Sequence, residues 1–279
     1  MRLPEWIRVK NRVSFHDTKK VLRSYGISTV CEESRCPNIG KCFTKPTATF
    51  MILGSKCTRQ CGFCSIESSM LKPLDLREPY RIAMAAKEMG LRHVVITSVT
   101  RDDLTDGGAR HFASTVYAIR RHLPYATVEV LTPDFKGDVR NLKIVLESKP
   151  NVYNHNVETV PRLYQHVRPG ANYKRSLGML RKAKETAPGI ILKSGLMLGL
   201  GETKEEVLDV LRDLHNTGCE LITIGQYLRP SKRNIPVTEF VRPEVFEEIR
   251  QKALDMGFRY VASAPLVRSS MNAGDMLAH

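Results

Sequence analysis

The chain has 279 residues and a formal net charge of +14, from 43 Lys and Arg against 29 Asp and Glu. Hydrophobic residues make up 42% of it and charged residues 26%, which excludes disordered and fibrous proteins. It holds no run of about 18 apolar residues, so we expect no membrane-spanning helix. The basic start has no apolar stretch behind it, and the seven cysteines are an odd number. Both features favour a cytoplasmic protein with metal or redox chemistry over an exported, disulfide-bonded one.

Residues 1–45 differ from the rest of the chain because they are rich in turns and show little strand pattern. We expect at most one short helix there, around residues 18–25. The last residues, 267–279, are polar and small. We therefore predict three parts: an N-terminal extension over 1–45, a folded unit over 46–266 and a C-terminal tail over 267–279.

From residue 47 onward, short apolar runs alternate with helical patterns. The six predicted strands are Thr47–Leu53, His93–Thr97, Thr127–Leu131, Val152–Asn156, Ile190–Leu198 and Leu221–Gly225. Continuous apolar runs are typical of parallel strands that are buried on both faces. Helices are predicted between the strands, for example over Leu76–Gly90 and over Thr203–Gly218, where Thr203 and Glu206 form a capping box.

Six strand–helix units predict an α/β fold with a parallel sheet and right-handed crossovers. A complete eight-unit barrel usually takes about 250 residues, which is more than the folded unit offers. We therefore expect a partial, open TIM-type barrel of about six β/α units, with a cysteine-rich extension before it and a short tail after it. A doubly wound open sheet is the alternative, since it also alternates strands and helices.

Three cysteines, Cys57, Cys61 and Cys64, form C-x3-C-x2-C directly after the first strand. Parallel barrels place their active sites at this end of the strands. Three thiolates can hold three irons of a cubic iron–sulfur cluster, which leaves the fourth iron open to another ligand. A zinc site is the weaker interpretation, because structural zinc sites use paired spacings and four ligands.

A second triplet, Cys31, Cys36 and Cys42, has the spacing C-x4-C-x5-C. By itself this spacing also suits zinc. Beside the first triplet it indicates a second cluster that again lacks one protein ligand. The seventh cysteine, Cys219, is better explained as a small buried hydrophobic residue than as a redox group.

Taken together, these motifs resemble a known family. A C-x3-C-x2-C motif after the first strand of a partial barrel resembles the radical S-adenosylmethionine enzymes. The upstream triplet, with Arg268, Ser269 and Ser270 near the C-terminus, is similar to the lipoyl synthase family in particular. The resemblance covers nearly the whole chain. It departs at Met271, where the family's tail motif ends in Tyr after Arg-Ser-Ser.

The same resemblance implies where the nucleoside part of the cofactor binds. The segment Tyr153–Thr159 resembles the ribose-binding strand of related radical enzymes such as biotin synthase. By this resemblance, Asn156 and Glu158 would hydrogen-bond the ribose hydroxyls. Two residues that are two apart on a strand face the same side. The alternative is a polar strand end that satisfies a turn.

The methionine part of the cofactor is assigned in the same way. Lys193 and Ser194 precede the glycine-rich fifth strand and could meet a carboxylate, although a solvated lysine is equally acceptable. After the second strand, the family handles the methionine amino group, which makes Thr100, Arg101 and Asp102 candidates. The alternative there is a capped turn into the next helix.

The resemblance implies a sulfurtransferase that inserts two sulfur atoms at C6 and C8 of an octanoyl-lysine on a lipoyl carrier domain. It implies two [4Fe-4S] clusters and S-adenosylmethionine, with the auxiliary cluster as the sulfur donor. Ser270 would be the fourth, oxygen ligand of that cluster, with Ser269 as the runner-up. Implied partners are the acidic octanoylated carrier, an electron donor such as ferredoxin or flavodoxin, and an iron–sulfur carrier; nucleic acid and membrane are not expected.

The net charge fits an acidic partner, because complementary charge steers association. The residues that could form a basic rim at the barrel mouth are His166, Arg168, Lys174, Arg175, Arg229, Lys232 and Arg233. A solvated basic face is the alternative.

Two other functions are weighed against this one. A methylthiotransferase that acts on tRNA, or a biotin synthase-like enzyme, would share the first triplet. The former usually has an added RNA-binding domain, and the latter lacks the N-terminal triplet. A nucleic-acid-binding protein with structural metals is disfavoured, since aromatic residues are only 7% and the basic residues are dispersed.

Overall fold

The computed structural model describes residues 3–8, 16–34, 36–42 and 47–277. The predicted boundary at residues 45 and 46 lies outside these residues. The strands are β1 Ser28–Thr29, β2 Thr47–Ile52, β3 His93–Ser98, β4 Thr127–Leu131, β5 Val152–Asn154, β6 Ile191–Leu198, β7 Leu221–Gln226 and β8 Tyr260–Ser263. The α-helices are α1 His16–Ser24, α2 Val30–Glu33, α3 Ile39–Cys42, α4 Glu78–Glu88, α5 Ala109–His122, α6 Val139–Glu147, α7 Tyr164–Val167, α8 Tyr173–Thr186, α9 Lys204–His215 and α10 Pro243–Asp255.

All eight strands form one sheet in chain order, from β1 to β8. β1 pairs with β2 antiparallel, and every later pair is parallel. A doubly wound sheet reverses its strand order at a switch point, and this sheet has no reversal. The order is that of a TIM-type barrel that stops short of closure, which confirms the predicted fold class.

From residue 47 onward, the predicted strands and helices lie where the sequence placed them, with ends shifted by a few residues. The expectation of at most one short helix in residues 1–45 is wrong, because the described residues there form α1, α2 and α3 and the two-residue strand β1. These elements are too short to show a clear periodic pattern in the sequence. β5 ends at Asn154, two residues before its predicted end. The capping box is present, since the Thr203 side chain accepts from Glu206 N and the Glu206 side chain accepts from the Thr203 backbone. The sequence analysis missed β8, a four-residue strand whose pairing with β7 is set by tertiary contacts.

Charged side chains are buried within the sheet, below the carboxyl ends of the strands. Lys193 Nζ lies 3.0 Å from Glu129 Oε2, and both side chains are inaccessible to solvent. Asn154 Nδ2 donates to Glu129 Oε1 at 2.7 Å. Burial alone would raise the pKa of Glu129, but the Lys193 ammonium and the His93 ring lower it to about 2. The two charges are retained in the interior because they pair with each other.

Six of the helices each have one buried face that is mostly apolar, namely α4, α5, α6, α8, α9 and α10. Cys219, 2% exposed, belongs to the hydrophobic core, which confirms its interpretation as a small buried residue. Within the described residues, no helix is long and apolar enough to cross a bilayer.

Candidate functional site

The loop after β2 brings Cys57, Cys61 and Cys64 to the carboxyl end of the sheet as free, half-buried thiols. The loop is anchored by backbone bonds, from Cys57 N to Glu67 O at 3.1 Å and from Gly62 N to Val167 O at 2.9 Å. Burial raises the pKa of the Cys61 thiol and raises that of Cys64 to about 12. The neighbouring cysteines of the triplet raise both further, which shows that the three sulfurs lie within electrostatic reach of one another.

The surroundings of these thiols fit an iron–sulfur cluster. Cys57 Sγ accepts the backbone N–H of Arg59 at 3.4 Å and that of Thr100 at 3.3 Å, and such donors stabilise a thiolate. Thiols with a raised pKa stay protonated at neutral pH unless a metal displaces the proton. In a cubic cluster each of three such thiolates would bind its own iron.

A buried ion-pair network holds the same loop from the side. Arg59, with a side chain only 8% exposed, lies 2.7 Å from Asp102 and 2.7 Å from Asp134. Arg175 binds the other oxygen of Asp134, also at 2.7 Å. Burial raises the pKa of Asp134, but the Arg59 and Arg175 guanidinium groups lower it to about 2. We call Arg59, Asp102, Asp134 and Arg175 the Arg59 network.

Two of the predicted cofactor residues lie at this loop, Asp102 within the network and Thr100 beside it. The Asp102 carboxylate is engaged by Arg59, and its backbone N–H donates to Thr58 Oγ1 at 3.0 Å. Thr100 approaches the triplet through its backbone, since its N–H donates to Cys57 and its carbonyl accepts from Thr58. A role for either side chain toward the cofactor stays a prediction. Arg101 pairs with Asp103 at 2.8 Å, and its Nη1 donates to Leu53 O at 3.3 Å.

Asn156 and Glu158 lie together after the end of β5. Asn156 Nδ2 donates to Glu158 Oε1 at 3.1 Å, although Glu158 has left the strand and has a φ of 66°. Burial raises the pKa of Glu158 against the opposing effect of Arg168. Gly195 lies beside them, and a Cβ there would be 3.0 Å from Asn156 Oδ1. A Cβ at this position would also lie 2.5 Å from Thr223 Oγ1, so the glycine allows Thr223 and Asn156 to pack closely against the β6 backbone.

Arg168 was expected on a basic rim, and the structure corrects this placement. Its Nη1 donates to Asn156 O at 2.9 Å and to Tyr164 Oη at 2.9 Å. Its Nε is buried without a partner among the described residues. Its positive charge opposes the rise that burial causes in the pKa of Glu158 and in that of Cys61. A buried donor of this kind is suited to a polar ligand between the triplet and Glu158.

Lys193 and Ser194 are not in the mouth. Lys193 is fully buried, and its ammonium is paired with Glu129. Ser194 lies on the opposite face of β6 from Lys193 and Gly195, because alternate residues of a strand face opposite sides. Its hydroxyl donates to His155 O at 2.9 Å. The geometry therefore does not support the expected contact with a cofactor carboxylate, and the assignment stays untested.

The second triplet lies on the two short helices before β2. Cys31 is in α2, Cys42 ends α3, and Cys36 lies between them. Burial raises the pKa of Cys31 to about 12, and Cys36 and Cys42 raise it further. Ser65 Oγ, next to the first triplet, donates to Glu33 O at 2.7 Å. The loops that carry the two triplets are thus in direct contact.

The tail crosses the carboxyl end of β7, where any side chain at position 225 would collide with Val267 O. Asn154 Nδ2 donates to Ser269 Oγ at 3.0 Å, and Ser269 Oγ donates to Asn156 Oδ1 at 3.2 Å. Ser270 is half-buried. The two serines therefore differ, since the Ser269 hydroxyl is held by two asparagines.

Several residues of the predicted basic rim are bound to other residues of the chain. Arg175 belongs to the Arg59 network, and Arg233 pairs with Glu67 at 2.9 Å. Arg229 donates to Asn234 O at 2.7 Å within its own loop. His166, Lys174 and Lys232 are exposed. These three remain for an external partner.

With this arrangement in view, the chain was compared with known proteins. The model of the radical SAM superfamily matches residues 51–214. The chain is 54% identical over 276 residues to a lipoyl synthase of Caldanaerobacter subterraneus subsp. tengcongensis, covering 98% of this chain and 96% of the relative. This chain belongs to the lipoyl synthase family of radical SAM enzymes. Membership implies an enzyme with a [4Fe-4S] cluster and S-adenosylmethionine.

Other relatives agree with this assignment. A lipoyl synthase of Rubrobacter xylanophilus is 53% identical over 272 residues, which are 97% of this chain and 85% of the relative. Among solved structures, methylornithine synthase has a TM-score of 0.60 at 15% identity, over 91% of this chain and 83% of its own. SuiB of Streptococcus suis with its precursor peptide has a TM-score of 0.61 at 12% identity, over 88% and 52%. These two similarities concern the fold alone.

The sequence analysis missed the Arg59 network and the inward position of Arg168. A signal for the network was present, because Asp102 and Asp134 both follow the ends of parallel strands. Such positions meet at one edge of a sheet. The position of Arg59 within the first triplet did not indicate which carboxylates it would pair with.

Proposed function

We propose that this enzyme inserts two sulfur atoms, at C6 and C8 of an octanoyl-lysine on a lipoyl carrier domain. The observation that carries the proposal is the contact between the two loops that carry the cysteine triplets, from Ser65 Oγ to Glu33 O. One triplet is sufficient for radical chemistry, and a second beside it can supply sulfur. The family membership of the chain supports the same reaction.

Cys57, Cys61 and Cys64 would hold the [4Fe-4S] cluster whose open iron takes S-adenosylmethionine. The chemistry supplied by that pair is homolytic removal of hydrogen from an alkyl carbon, since an alkyl C–H has no acidity that a side-chain base could use. Phe63 packs against the cluster formed by Val167, Leu200 and Tyr227, and its apolar ring would limit water near the sulfurs. The Arg59 network would orient the loop, and the Thr100 N–H donates to Cys57 Sγ.

Asn156 and Glu158 would bind the ribose hydroxyls, since their side chains lie together and are hydrogen-bonded to each other. Arg168 has a free buried Nε close to this pair and would receive an anionic group of the cofactor. The Lys193 ammonium would pair only with the Glu129 carboxylate.

Cys31, Cys36 and Cys42 would hold the auxiliary [4Fe-4S] cluster, with the hydroxyl of Ser270 as the fourth ligand. A serine oxygen is a harder ligand than a thiolate and suits iron in such clusters less well. The iron that it binds would therefore be released most easily when the cluster gives up sulfur. The bound hydroxyl of Ser269 makes it the poorer candidate.

The proposed protein partners are an acidic octanoylated carrier domain, an electron donor such as ferredoxin or flavodoxin, and an iron–sulfur carrier. The net charge of +14 and the exposed His166, Lys174 and Lys232 support an acidic partner. A cytoplasmic location is proposed with them.

Iron and labile sulfide counted after anaerobic reconstitution test the proposal. We expect about eight irons per wild-type chain and about four after Cys31→Ala, Cys36→Ala and Cys42→Ala together, because each cubic cluster holds four. The triple variant should still cleave S-adenosylmethionine but insert no sulfur. Cys219→Ala is the matched control and should keep about eight. One cluster plus zinc in the wild type would exclude the sulfur-donor role.

A further inference from the structure

Asn38 joins the two ends of the chain. Its side chain is nearly buried, with 5% of the residue exposed. The Nδ2 atom donates to Leu266 O at 2.5 Å and to Met271 Sδ at 3.5 Å. An amide nitrogen has two hydrogens, so both donors of Asn38 are used by the C-terminal tail. Its backbone carbonyl accepts from Cys42 N at 2.9 Å.

The two tail atoms that Asn38 contacts lie on either side of Ser270. Leu266 precedes the segment 267–270, and Met271 follows it. Val267 N donates to Ala264 O at 3.0 Å and Met271 N to Arg268 O at 2.9 Å, so the segment is already folded into turns. One side chain thus fixes both ends of the segment.

The same segment also packs against the sheet. Gly225 allows the tail backbone to approach β7 closely. The tail is therefore held between the sheet on one side and the cysteine-bearing segment on the other.

We infer that Asn38 is a positioning residue: it fixes segment 266–271 on the Cys31–Cys42 segment and so places the Ser270 hydroxyl at the second triplet. The tail contact stands by itself, whereas the role of Ser270 as a ligand rests on the proposed function. The inference also gives Met271 a role, since its thioether accepts one of the two Asn38 hydrogens.

Hydrogen exchange of the cluster-free protein tests the contact. In Asn38→Ala we expect peptides that cover residues 264–277 to exchange about fivefold faster or more, because about one hydrogen bond's worth of stability is lost. Asn38→Asp keeps the size but lacks donors and should behave in the same way. Asn141→Ala, at a buried asparagine of α6, is the control. Tail exchange that is unchanged in Asn38→Ala would overturn the inference, and peptides from β3 to β6 report whether the variant has folded.

Iron release tests the link to Ser270. Cys57, Cys61 and Cys64 are replaced by Ala so that only the auxiliary cluster loads, and its iron is removed by a chelator. We expect Asn38→Ala and Ser270→Ala each to release iron about fivefold faster or more, and the double variant to be no faster than Ser270→Ala alone. Additive effects would show that Asn38 does not act through Ser270. A background variant that takes up no iron would instead disprove the auxiliary cluster, while the exchange result still decides the contact.

Discussion

Asp134 is the centre of the Arg59 network, because each of its carboxylate oxygens receives a different guanidinium group. Its side chain is inaccessible to solvent, and that of Arg59 is 8% exposed. Removing the charge from one partner of a buried network leaves the other charges uncompensated. The network therefore matters both for the stability of the barrel and for the position of the first triplet.

We predict that Asp134→Asn lowers the free energy of unfolding by about 3 kcal/mol, since it leaves Arg59 and Arg175 without their shared charge. Urea unfolding at neutral pH measures this change. Asp138→Asn is the matched control, because Asp138 pairs with the exposed Arg140 and Asn preserves its cap on α6. A loss in Asp138→Asn equal to that in Asp134→Asn would contradict the prediction.

The effect of Asp134→Asn should also depend on pH. The folded pKa of Asp134 is about 2, below the value of about 3.9 for an unfolded aspartate. Its stabilising effect is therefore fully present above about pH 4 and disappears as the pH falls toward 2. Unfolding curves of wild type and variant should converge over that range. A difference that stays constant from pH 6 to pH 2 would show that the carboxylate charge is not the cause.

At the scale of elements, local sequence determined the helices well. The capping box of α9 was visible from Thr203 and Glu206 because it depends on residues three apart. β8 was missed because its four residues carry no strong apolar pattern, and its strand conformation is set by pairing with β7. The face of β6 on which Ser194 lies depends on the register of the strand, and the apolar pattern alone did not determine that register.

We predict that Thr203→Ala lowers the free energy of unfolding by about 1 kcal/mol, the typical cost of losing an N-cap side chain. The iron content after reconstitution should be unchanged, since the cap does not contact either triplet. Chemical denaturation and iron analysis provide the two measurements. Thr186→Ala, at the last residue of α8, serves as the control and should leave the stability nearly unchanged. Equal losses in both variants would argue against the cap.

At the scale of the whole molecule, the sequence determines the net charge directly but does not show which charged side chains are exposed and which are paired. The total of +14 needs only counting. Four of the seven proposed rim residues turned out to have partners within the chain, namely Arg168, Arg175, Arg229 and Arg233. The carboxylates and carbonyls that they bind are distant in sequence or depend on loop conformation, so no local pattern identifies them.

We predict that Lys174→Glu with Lys232→Glu slows association with an acidic octanoylated carrier about tenfold at low salt, because charges at the mouth steer the encounter. The difference should shrink as ionic strength rises. Stopped-flow binding over a salt series measures it. Lys87→Glu with Lys143→Glu changes the net charge equally on the outer helices α4 and α6 and should have a smaller effect. Equal slowing by both pairs would mean that net charge alone attracts the carrier.

The sequence by itself determined the fold class, the order of the strand–helix units and the two cysteine triplets. These depend on periodicity and on spacing over a few residues, which the chain carries locally. The tertiary structure decided which side chains face the mouth. Glu158 and Asn156 meet there, Lys193 is buried against Glu129, and Asn38 binds the tail more than 220 residues away. Such contacts follow from strand register and from the approach of distant segments, and no local pattern encodes either.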